Sequence, residues 1–209
     1  ITYGFRFYLR CLEIFCACRF DLSELDQLRG EGPLILVANH PSLIDAGLIT
    51  SRLPNAVCVM KAALMDNLLF GAAARLARYI RNNAPLETIL SAREELRRGA
   101  HLVIFPEGTR TDQFPIGPCQ KSTGLIASRT TAPVQTLLIE YSTPYLGKDW
   151  PLFRRPALPL TVSIRLGRRF APPKDVTAFT DELEAYFREK LGQKSPSTAT
   201  DLPLTDSPR

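Results

Sequence analysis

The chain has 209 residues, 45% of them hydrophobic and 22% charged, a balance that is typical of a globular protein and excludes a largely disordered chain. The formal net charge of +5 favours anionic partners such as phosphates or acidic lipid surfaces, unless it reflects only a solvated basic surface. The sequence contains no block of Lys and Arg with interleaved aromatic residues, so it gives little support to nucleic-acid binding. The five cysteines include no CxxC pair, which excludes the usual metal spacing and favours reduced thiols in the cytosol.

The N-terminal segment, residues 1–30, predicts an amphipathic helix. Six apolar residues recur there at helical spacing: Phe5, Tyr8, Leu9, Leu12, Phe15 and Cys16. Aromatic residues and neighbouring arginines suit a membrane interface, so this helix either lies at an anionic membrane surface or packs on the domain core. No run of 18 apolar residues is present, so we expect a membrane span only in a segment that precedes Ile1.

From residue 31 onward, predicted strands alternate with predicted helices. The strands cover residues 34–38, 56–60, 101–105, 133–141 and 160–166. The helices cover residues 42–52, 63–80, 86–98, 122–130 and 175–192. This alternation predicts an α/β fold, a single domain over residues 31–192 with a mostly parallel central sheet flanked by helices. Residues 193–209 are rich in turn-forming residues and predict a disordered tail.

Two polar segments follow directly after predicted strands. "NHPSLID" comes after the strand at 34–38, and "PEGTR" comes after the apolar run that ends at residue 105. Ligands of parallel sheets bind in the crevice beyond the carboxyl ends of the strands. Chain topology alone can therefore bring the two segments to one crevice.

In the first segment, His40 and Asp45 form a candidate catalytic pair. A histidine accepts a proton near neutral pH, and a carboxylate on its other ring nitrogen fixes the tautomer and stabilises the imidazolium. Five residues along a regular helix point two side chains apart, so the pair meets only if His40 lies in the loop before the helix. The alternative is structural, because Ser42 and Asp45 have the spacing of a helix capping box.

The second segment, "FPEGTRT", has features of an anion site. Pro106 ends the strand, Gly108 lets the backbone approach a ligand, and Arg110 has the forked donors that suit a phosphate. Glu107 either orients that arginine or bonds a substrate hydroxyl. A tight turn with a surface arginine is the plainer interpretation.

Together the two segments resemble a known family. "NHPSLID" is similar to the N-H-x-x-x-x-D motif of the glycerolipid and lysophospholipid acyltransferases, and "FPEGTRT" is similar to their F-P-E-G-T-R motif, in the same order. The resemblance continues through "KSTGLIASRTTAPVQTLLIE" and so covers roughly residues 34–141. It implies the acyltransferase fold and transfer of a fatty acyl chain from an acyl-CoA or acyl-carrier-protein thioester to the hydroxyl of a lysophospholipid-like acceptor.

The resemblance also implies the role of individual residues. His40 is the general base, and Asp45 orients it. Further residues are expected to bind substrate, with Arg110 on the acceptor phosphate: Asn39, Ser42, Arg81, Glu107, Gly108, Thr109, Arg110 and Lys121. No metal or cofactor is implied, because a thioester is already activated. The expected location is the cytoplasmic face of the inner membrane, either peripheral or through a segment before Ile1.

One block departs from the family pattern. The family commonly has F-I-D-R where this chain has "YIRN" at residues 79–82, so Arg81 stands one position early and the aspartate is missing. The resemblance therefore leaves the acceptor open between lysophosphatidate and other lipids, such as ornithine lipids or aryl polyene glycolipids. His101 lies outside the matched motifs and is interpreted as a strand-end residue.

Two other functions remain compatible with the sequence. One is a membrane-peripheral lipid-binding protein of the same fold without turnover, which the altered "YIRN" block and the basic, aromatic N-terminus favour. The other is a hydrolase in which His40 and Asp45 activate water on the thioester. Release of thiol without any acceptor distinguishes hydrolysis from transfer.

Overall fold

The computed structural model describes residues 2–61, 78–82, 84–151 and 154–193. Its helices are α1 (Thr2–Phe15), α2 (Asp45–Arg52), α3 (Pro85–Arg97), α4 (Lys121–Thr130) and α5 (Val176–Gly192). Its strands are β1 (Cys18–Asp21), β2 (Ile35–Ala38), β3 (Ala56–Lys61), β4 (Ile80–Asn82), β5 (His101–Ile104), β6 (Val134–Tyr141) and β7 (Leu160–Phe170). A short 3₁₀ helix covers Ser23–Leu28. Most of the predicted helix at 63–80, and residues 194–209 of the predicted tail, lie outside the described residues.

The seven strands form one sheet in the order β1-β7-β6-β2-β5-β3-β4. Every neighbouring pair is parallel except β6 and β7, so β1 and β7 run opposite to the other five strands. This confirms the predicted α/β fold with a mostly parallel sheet. We call the edge where β2 to β6 end the carboxyl edge, and the edge where they begin the amino edge.

Both faces of the sheet are covered, which explains why β2 is an unbroken apolar run. Along β2, Leu36 and Ala38 point to one face, and Ile35 and Val37 point to the other. The front face carries α1 and α2, whose buried residues Leu9, Leu48 and Ile49 complete its core. The back face carries α3, α4 and α5.

Local signals define the helix ends on the back face. Asp175 caps α5, because its Oδ1 accepts the N–H groups of Thr177 and Ala178 at 2.8 and 3.0 Å. Pro85 occupies the first turn of α3, where a missing N–H costs nothing. The chain leaves α3 through Gly99, whose φ of +81° favours glycine.

The predicted N-terminal helix is present but ends at Phe15. The segment that follows contains β1, which was not predicted and which pairs with β7 in the main sheet. The predicted division at residue 30 therefore does not coincide with the end of the helix. In the described part of the chain, no helix is both long and apolar enough to cross a membrane.

Helix α1 packs on the domain core, as one of the two interpretations predicted, and its location at a membrane surface stays a prediction. On one side, the ring of Phe5 packs so closely on Gly47 of α2 that a Cβ there would lie 2.1 Å from Cζ, and Arg6 donates to Ser51 O at 2.5 Å. On the other side, large apolar residues are exposed: Tyr3, Phe7, Ile14 and Phe15. One side of the helix packs on the core, and the other is available for a partner.

Candidate active site

Three neighbouring strands bring the candidate site together at the carboxyl edge. β2 lies between β5 and β6, and all three run parallel. Asn39 follows β2, Phe105 follows β5, and Tyr141 is the last residue of β6. The two predicted segments therefore lie side by side, as expected of adjacent parallel strands.

His40 and Asp45 are in direct contact. Nδ1 of His40 lies 2.9 Å from Oδ2 of Asp45, and 17% of the histidine side chain but none of the aspartate side chain is exposed. His40 lies in the loop after β2, whereas Asp45 is the first residue of α2. The helix was predicted to start at residue 42, which was too early, and its later start allows the two side chains to meet.

The Asp45 carboxylate combines the capping and catalytic hypotheses. Its Oδ2 also accepts the N–H of Ser42 at 2.8 Å, which is the return half of a capping box. Ser42 is fully buried, and its Oγ lies 3.5 Å from the N of Ile44. Ser42 holds the turn that presents Asp45, and its predicted contact with substrate stays a prediction.

Tyr141 is a third member of this group that the sequence did not reveal. Its hydroxyl donates to Oδ1 of Asp45 at 2.7 Å. Burial, followed by the negative charge of Asp45, raises the pKa of Tyr141 well above its ordinary value, so the phenol stays protonated as a donor. The sequence feature that could have identified Tyr141 is its position at the end of a predicted strand, since the ends of parallel strands meet at one edge of the sheet.

The surroundings of His40 fix its ring and its tautomer. The ring stacks on Phe105, with centroids 3.8 Å apart and an interplanar angle of 15°. An ionised Asp45 only accepts hydrogen bonds, so the proton of a neutral imidazole lies on Nδ1 and Nε2 is the acceptor. Nε2 has no hydrogen-bond partner among the residues that the structure describes, and the side chain is partly exposed.

The Glu107 carboxylate connects the two segments. It is buried; Oε1 accepts the N–H of His40 at 3.2 Å and the hydroxyl of Thr111 at 2.6 Å, and Oε2 accepts the N–H of Gly117 at 2.8 Å. Thr111 N–H in turn donates to His40 O at 2.7 Å. The predicted roles were to hold the acceptor or to orient Arg110. In the structure these oxygens position the backbone of His40, and a contact of Glu107 with the acceptor stays a prediction.

Asn39 also has a structural role, and its predicted contact with substrate stays a prediction. Its side chain is 3% exposed and continues the ladder between β2 and β6. Nδ2 donates to Ile139 O, and Oδ1 accepts Ile139 N–H, both at 2.8 Å. Because both ends of the amide are occupied in the core, Asn39 fixes the start of the loop that carries His40.

Gly108 is required by the turn. Its φ is +66°, a conformation that favours glycine, and its N–H donates to Phe105 O at 3.0 Å. The surrounding space is ordinary, since an added Cβ would lie 3.6 Å from Cγ of Gln120. The glycine therefore shapes the loop, and the prediction that it admits a ligand close to the backbone stays a prediction.

Thr109 and Arg110 are half-buried at the carboxyl edge. Nη1 of Arg110 donates to Leu146 O at 3.1 Å and to Gly147 O at 2.6 Å. Leu146 O also accepts the N–H of Leu43 at 3.0 Å, so the guanidinium lies beside the segment that follows β2. Its Nε and Nη2 have no hydrogen-bond partner within the described residues, and a phosphate could use these donors.

Lys121 and Arg81 lie at the same edge but further from His40. Lys121 is exposed at the start of α4, where the preceding Gln120 donates its N–H to Pro106 O at 2.7 Å. Arg81 is an exposed residue of the edge strand β4, three strands away from β2, or about 14 Å at ordinary strand spacing. Alternation along β4 directs it to the front face, because Ile80 belongs to the back-face core.

Comparisons with known proteins identify the family of this chain. Residues 19–140 match the family model described as Acyltransferase. The chain is 24% identical over 202 residues to a 1-acyl-sn-glycerol-3-phosphate acyltransferase of Pseudomonas aeruginosa, covering 91% of this chain and 76% of that protein. It is 25% identical over 208 residues to human 1-acyl-sn-glycerol-3-phosphate acyltransferase beta, covering 92% of this chain and 74% of that protein.

A solved structure has the same fold. The crystal structure of the 1-acyl-sn-glycerophosphate (LPA) acyltransferase PlsC from Thermotoga maritima aligns with a TM-score of 0.71 at 19% identity. The alignment covers 92% of this chain and 78% of that one. The sheet and helices described above therefore recur in a second protein despite little sequence identity.

Proposed function

This chain belongs to the acyltransferase family and is an acyltransferase, and we propose that its acceptor is 1-acyl-glycerol 3-phosphate or a closely related lysophospholipid. The proposed donor is the thioester of an acyl-CoA or of an acyl carrier protein. The observation that carries the proposal is the contact between Nδ1 of His40 and Oδ2 of the fully buried Asp45. This contact leaves Nε2 directed away from the carboxylate.

In the proposed reaction, Nε2 of His40 removes the proton of the acceptor hydroxyl. At the same time, the hydroxyl oxygen attacks the carbonyl carbon of the thioester. The new C–O bond gives a tetrahedral intermediate, and the C–S bond then breaks. The thiolate leaves with the proton that His40 accepted, so the enzyme returns to its starting state. Asp45 stabilises the transient imidazolium, and Tyr141 holds the other oxygen of Asp45.

The acceptor phosphate is proposed to bind Arg110. This guanidinium lies next to the segment that carries His40, and two of its nitrogens have no partner among the described residues. Lys121 contributes a further positive charge at this edge. Arg81 is about 14 Å from the end of β2 by strand spacing, so it is better placed for a distant part of the donor or acceptor.

We also propose that the exposed side of α1 binds an anionic membrane surface. Tyr3, Phe7 and Ile14 lie along one side of the helix and are 82%, 72% and 63% exposed, with Arg10 among them. Such aromatic and basic residues suit a lipid interface, where the substrate of a lysophospholipid acyltransferase resides. A double substitution, Phe7→Ser with Ile14→Ser, should greatly reduce sedimentation with anionic vesicles, and unchanged sedimentation would contradict the proposal.

The test of the reaction measures thiol release with a thiol-reactive dye. Purified protein receives an acyl-CoA and, in separate reactions, lysophosphatidate, an ornithine-containing lysolipid or no acceptor. We expect release that depends on lysophosphatidate, and a loss of about 1,000-fold in the variant His40→Gln. Replacing the CoA thioester with an acyl-carrier-protein thioester identifies the preferred donor.

The outcomes separate the competing functions. Thiol release that is equal without an acceptor would indicate hydrolysis by water. Full activity of His40→Gln would exclude His40 as the base. Preference for the ornithine-containing lysolipid would keep the acyltransferase assignment and overturn the proposed acceptor.

A further inference from the structure

The loop between β6 and β7 lies directly against the candidate site. Its Leu146 O accepts the N–H of Leu43, and the same oxygen and Gly147 O accept Arg110. Gly147 also packs on the segment after β2, since a Cβ there would lie 3.5 Å from Pro41 O. Residues 146 and 147 therefore contact both of the segments that form the site.

The next residue of this loop, Lys148, has a charge that the reaction described above does not use. Its ammonium pairs with the carboxylate of Asp112, which follows Arg110 closely in the chain. The pair is well exposed, at 41% for the lysine side chain and 39% for the aspartate side chain. Thr111, which lies between Arg110 and Asp112, donates its N–H to His40 O. Each member of the ion pair therefore follows directly after a residue that contacts the site: Lys148 follows Gly147, and Asp112 follows Thr111.

We propose that Lys148 is an additional cation for the acceptor phosphate, besides Arg110 and Lys121, and that Asp112 competes with the phosphate for it. This inference rests on the proposed function, because it requires a phosphorylated acceptor. A phosphate carries up to two negative charges and three acceptor oxygens, whereas Asp112 carries one charge. When a phosphate binds Arg110, Lys148 exchanges the carboxylate for the phosphate, and Asp112 returns to water.

The energetics of the pair favour such an exchange. Exposed ion pairs contribute little to stability, because water screens the charges and two flexible side chains must be ordered. Losing the contact with Asp112 therefore costs little. Two of the nitrogens of Arg110 have no hydrogen-bond partner in the described parts of the chain, so Arg110 and Lys148 can act on one phosphate together.

The test uses the two partners of the pair, because the proposal predicts opposite effects. Lys148→Met removes the cation and should raise the KM for lysophosphatidate roughly fivefold, the size expected for one exposed charge. Asp112→Asn removes the competitor and should lower that KM about twofold to threefold. The KM for monoacylglycerol, which lacks the phosphate, should stay unchanged in both variants. Where monoacylglycerol inhibits without turnover, its inhibition constant replaces the KM.

A matched exposed pair provides the control. Lys190 pairs with Glu189 on α5, on the back face, and its side chain is also 41% exposed. Lys190→Met and Glu189→Gln should leave the KM for lysophosphatidate at the wild-type value. The effects at Lys148 and Asp112 should also shrink as the salt concentration rises.

Three results would overturn the inference. An unchanged KM for lysophosphatidate in Lys148→Met would show that the cation does not reach the phosphate. A rise in KM in both Lys148→Met and Asp112→Asn would show that the pair only holds the loop. A wild-type protein that does not acylate lysophosphatidate would overturn the proposed function itself, before any variant is compared.

Discussion

The two histidines of the chain lie at opposite ends of the paired strands β2 and β5. They differ in solvent exposure and in hydrogen-bond partner. At the carboxyl edge, His40 is partly exposed and its Nδ1 lies against the Asp45 carboxylate. At the amino edge, His101 begins β5, is 1% exposed, and accepts the N–H of Leu34 on Nδ1 at 3.2 Å. Among the residues that the structure describes, His40 has a carboxylate partner on one ring nitrogen and none on the other, whereas His101 has a backbone partner and is buried.

This difference fixes opposite tautomers. His40 donates from Nδ1 to a carboxylate, so its Nε2 lone pair can accept a proton. His101 accepts on Nδ1, so its proton must lie on Nε2, and burial lowers its pKa below the ordinary value. His101 therefore joins the loop before β2 to β5 as a neutral group, whereas His40 places Nδ1 against the carboxylate of Asp45.

The two edges also differ in charge. At the carboxyl edge, the buried carboxylates of Asp45 and Glu107 accept several hydrogen bonds each, which offsets the cost of removing a charge from water. Buried polar networks of this kind orient side chains at some expense in stability. Substitutions at the carboxyl edge should therefore reduce activity most, and those at the amino edge should affect stability alone.

Among the residues that hold His40 and Asp45 in place, the largest effect is expected from Glu107→Gln. The amide has the same shape as the carboxylate, but its NH₂ group must face at least one of the N–H or hydroxyl groups that donate to the carboxylate in the wild type. We expect the free energy of unfolding to fall by about 2 kcal/mol. We also expect the turnover rate to fall about 100-fold, because His40 loses its backbone position. Urea unfolding and the thiol-release assay measure the two effects.

Glu184 offers the matched control. Its Oε2 accepts the N–H of Cys119 at 2.8 Å on the back face, without contact to His40. Glu184→Gln should reduce stability slightly and leave turnover unchanged. If Glu107→Gln keeps full activity while losing stability, then Glu107 contributes to folding alone, and the proposed positioning of His40 is wrong.

A smaller loss is expected for Tyr141→Phe, which removes the hydroxyl that holds Oδ1 of Asp45. A hydrogen bond to a charged group contributes about 1.5–3 kcal/mol, so we expect turnover to fall roughly tenfold or more. The KM for the acceptor should change little, because Asp45 acts through His40. Steady-state kinetics separate the two parameters.

Tyr79→Phe controls for the loss of a buried phenol. Burial raises the pKa of Tyr79 to about 12, but this residue does not contact Asp45 in the described structure. We expect Tyr79→Phe to retain wild-type turnover. Equal losses in the two variants would attribute the effect to packing on the front face rather than to the orientation of Asp45.

The sequence predicted the strands and helices that have strong periodicity, and it predicted which segments meet. The run at 34–38 is apolar at every position, and β2 is buried on both faces. β1 and β4 were missed because Cys18–Asp21 and Ile80–Asn82 are short and carry charged residues. Their strand structure depends on pairing with β7 and β3, which are distant in the chain and leave no local pattern.

At the site, the sequence indicated which segments come together better than it indicated the hydrogen-bond partners of their side chains. The contact of His40 with Asp45 was anticipated, because a loop position for the histidine follows from Pro41 and the helix geometry. The partners of Asn39 and Glu107 were not anticipated. Ile139, the partner of Asn39, lies 100 residues away in the chain, and Gly117 reaches Glu107 only because the intervening loop folds back. A polar residue beside a motif can bind a ligand or the protein's own backbone, and sequence alone does not distinguish these.

At the amino edge, His101 should make stability depend on pH. Because burial lowers its pKa, the unfolded chain binds a proton at this residue at a higher pH than the folded chain does. As the pH falls below about 6.5, protonation therefore favours the unfolded state. We expect the free energy of unfolding of the wild-type protein to decrease from pH 7 to pH 5.

The variant His101→Asn isolates this contribution, because the amide oxygen can still accept the N–H of Leu34 and does not titrate. Its free energy of unfolding should fall less steeply between pH 7 and pH 5 than that of the wild type. Asp21 and Asp112 do not contribute in this range, since hydrogen bonds to Ser23 and Lys148 respectively lower their pKa values further. Parallel pH curves for the two proteins would mean that His101 titrates alike in the folded and unfolded chains, which would contradict its neutral, buried role.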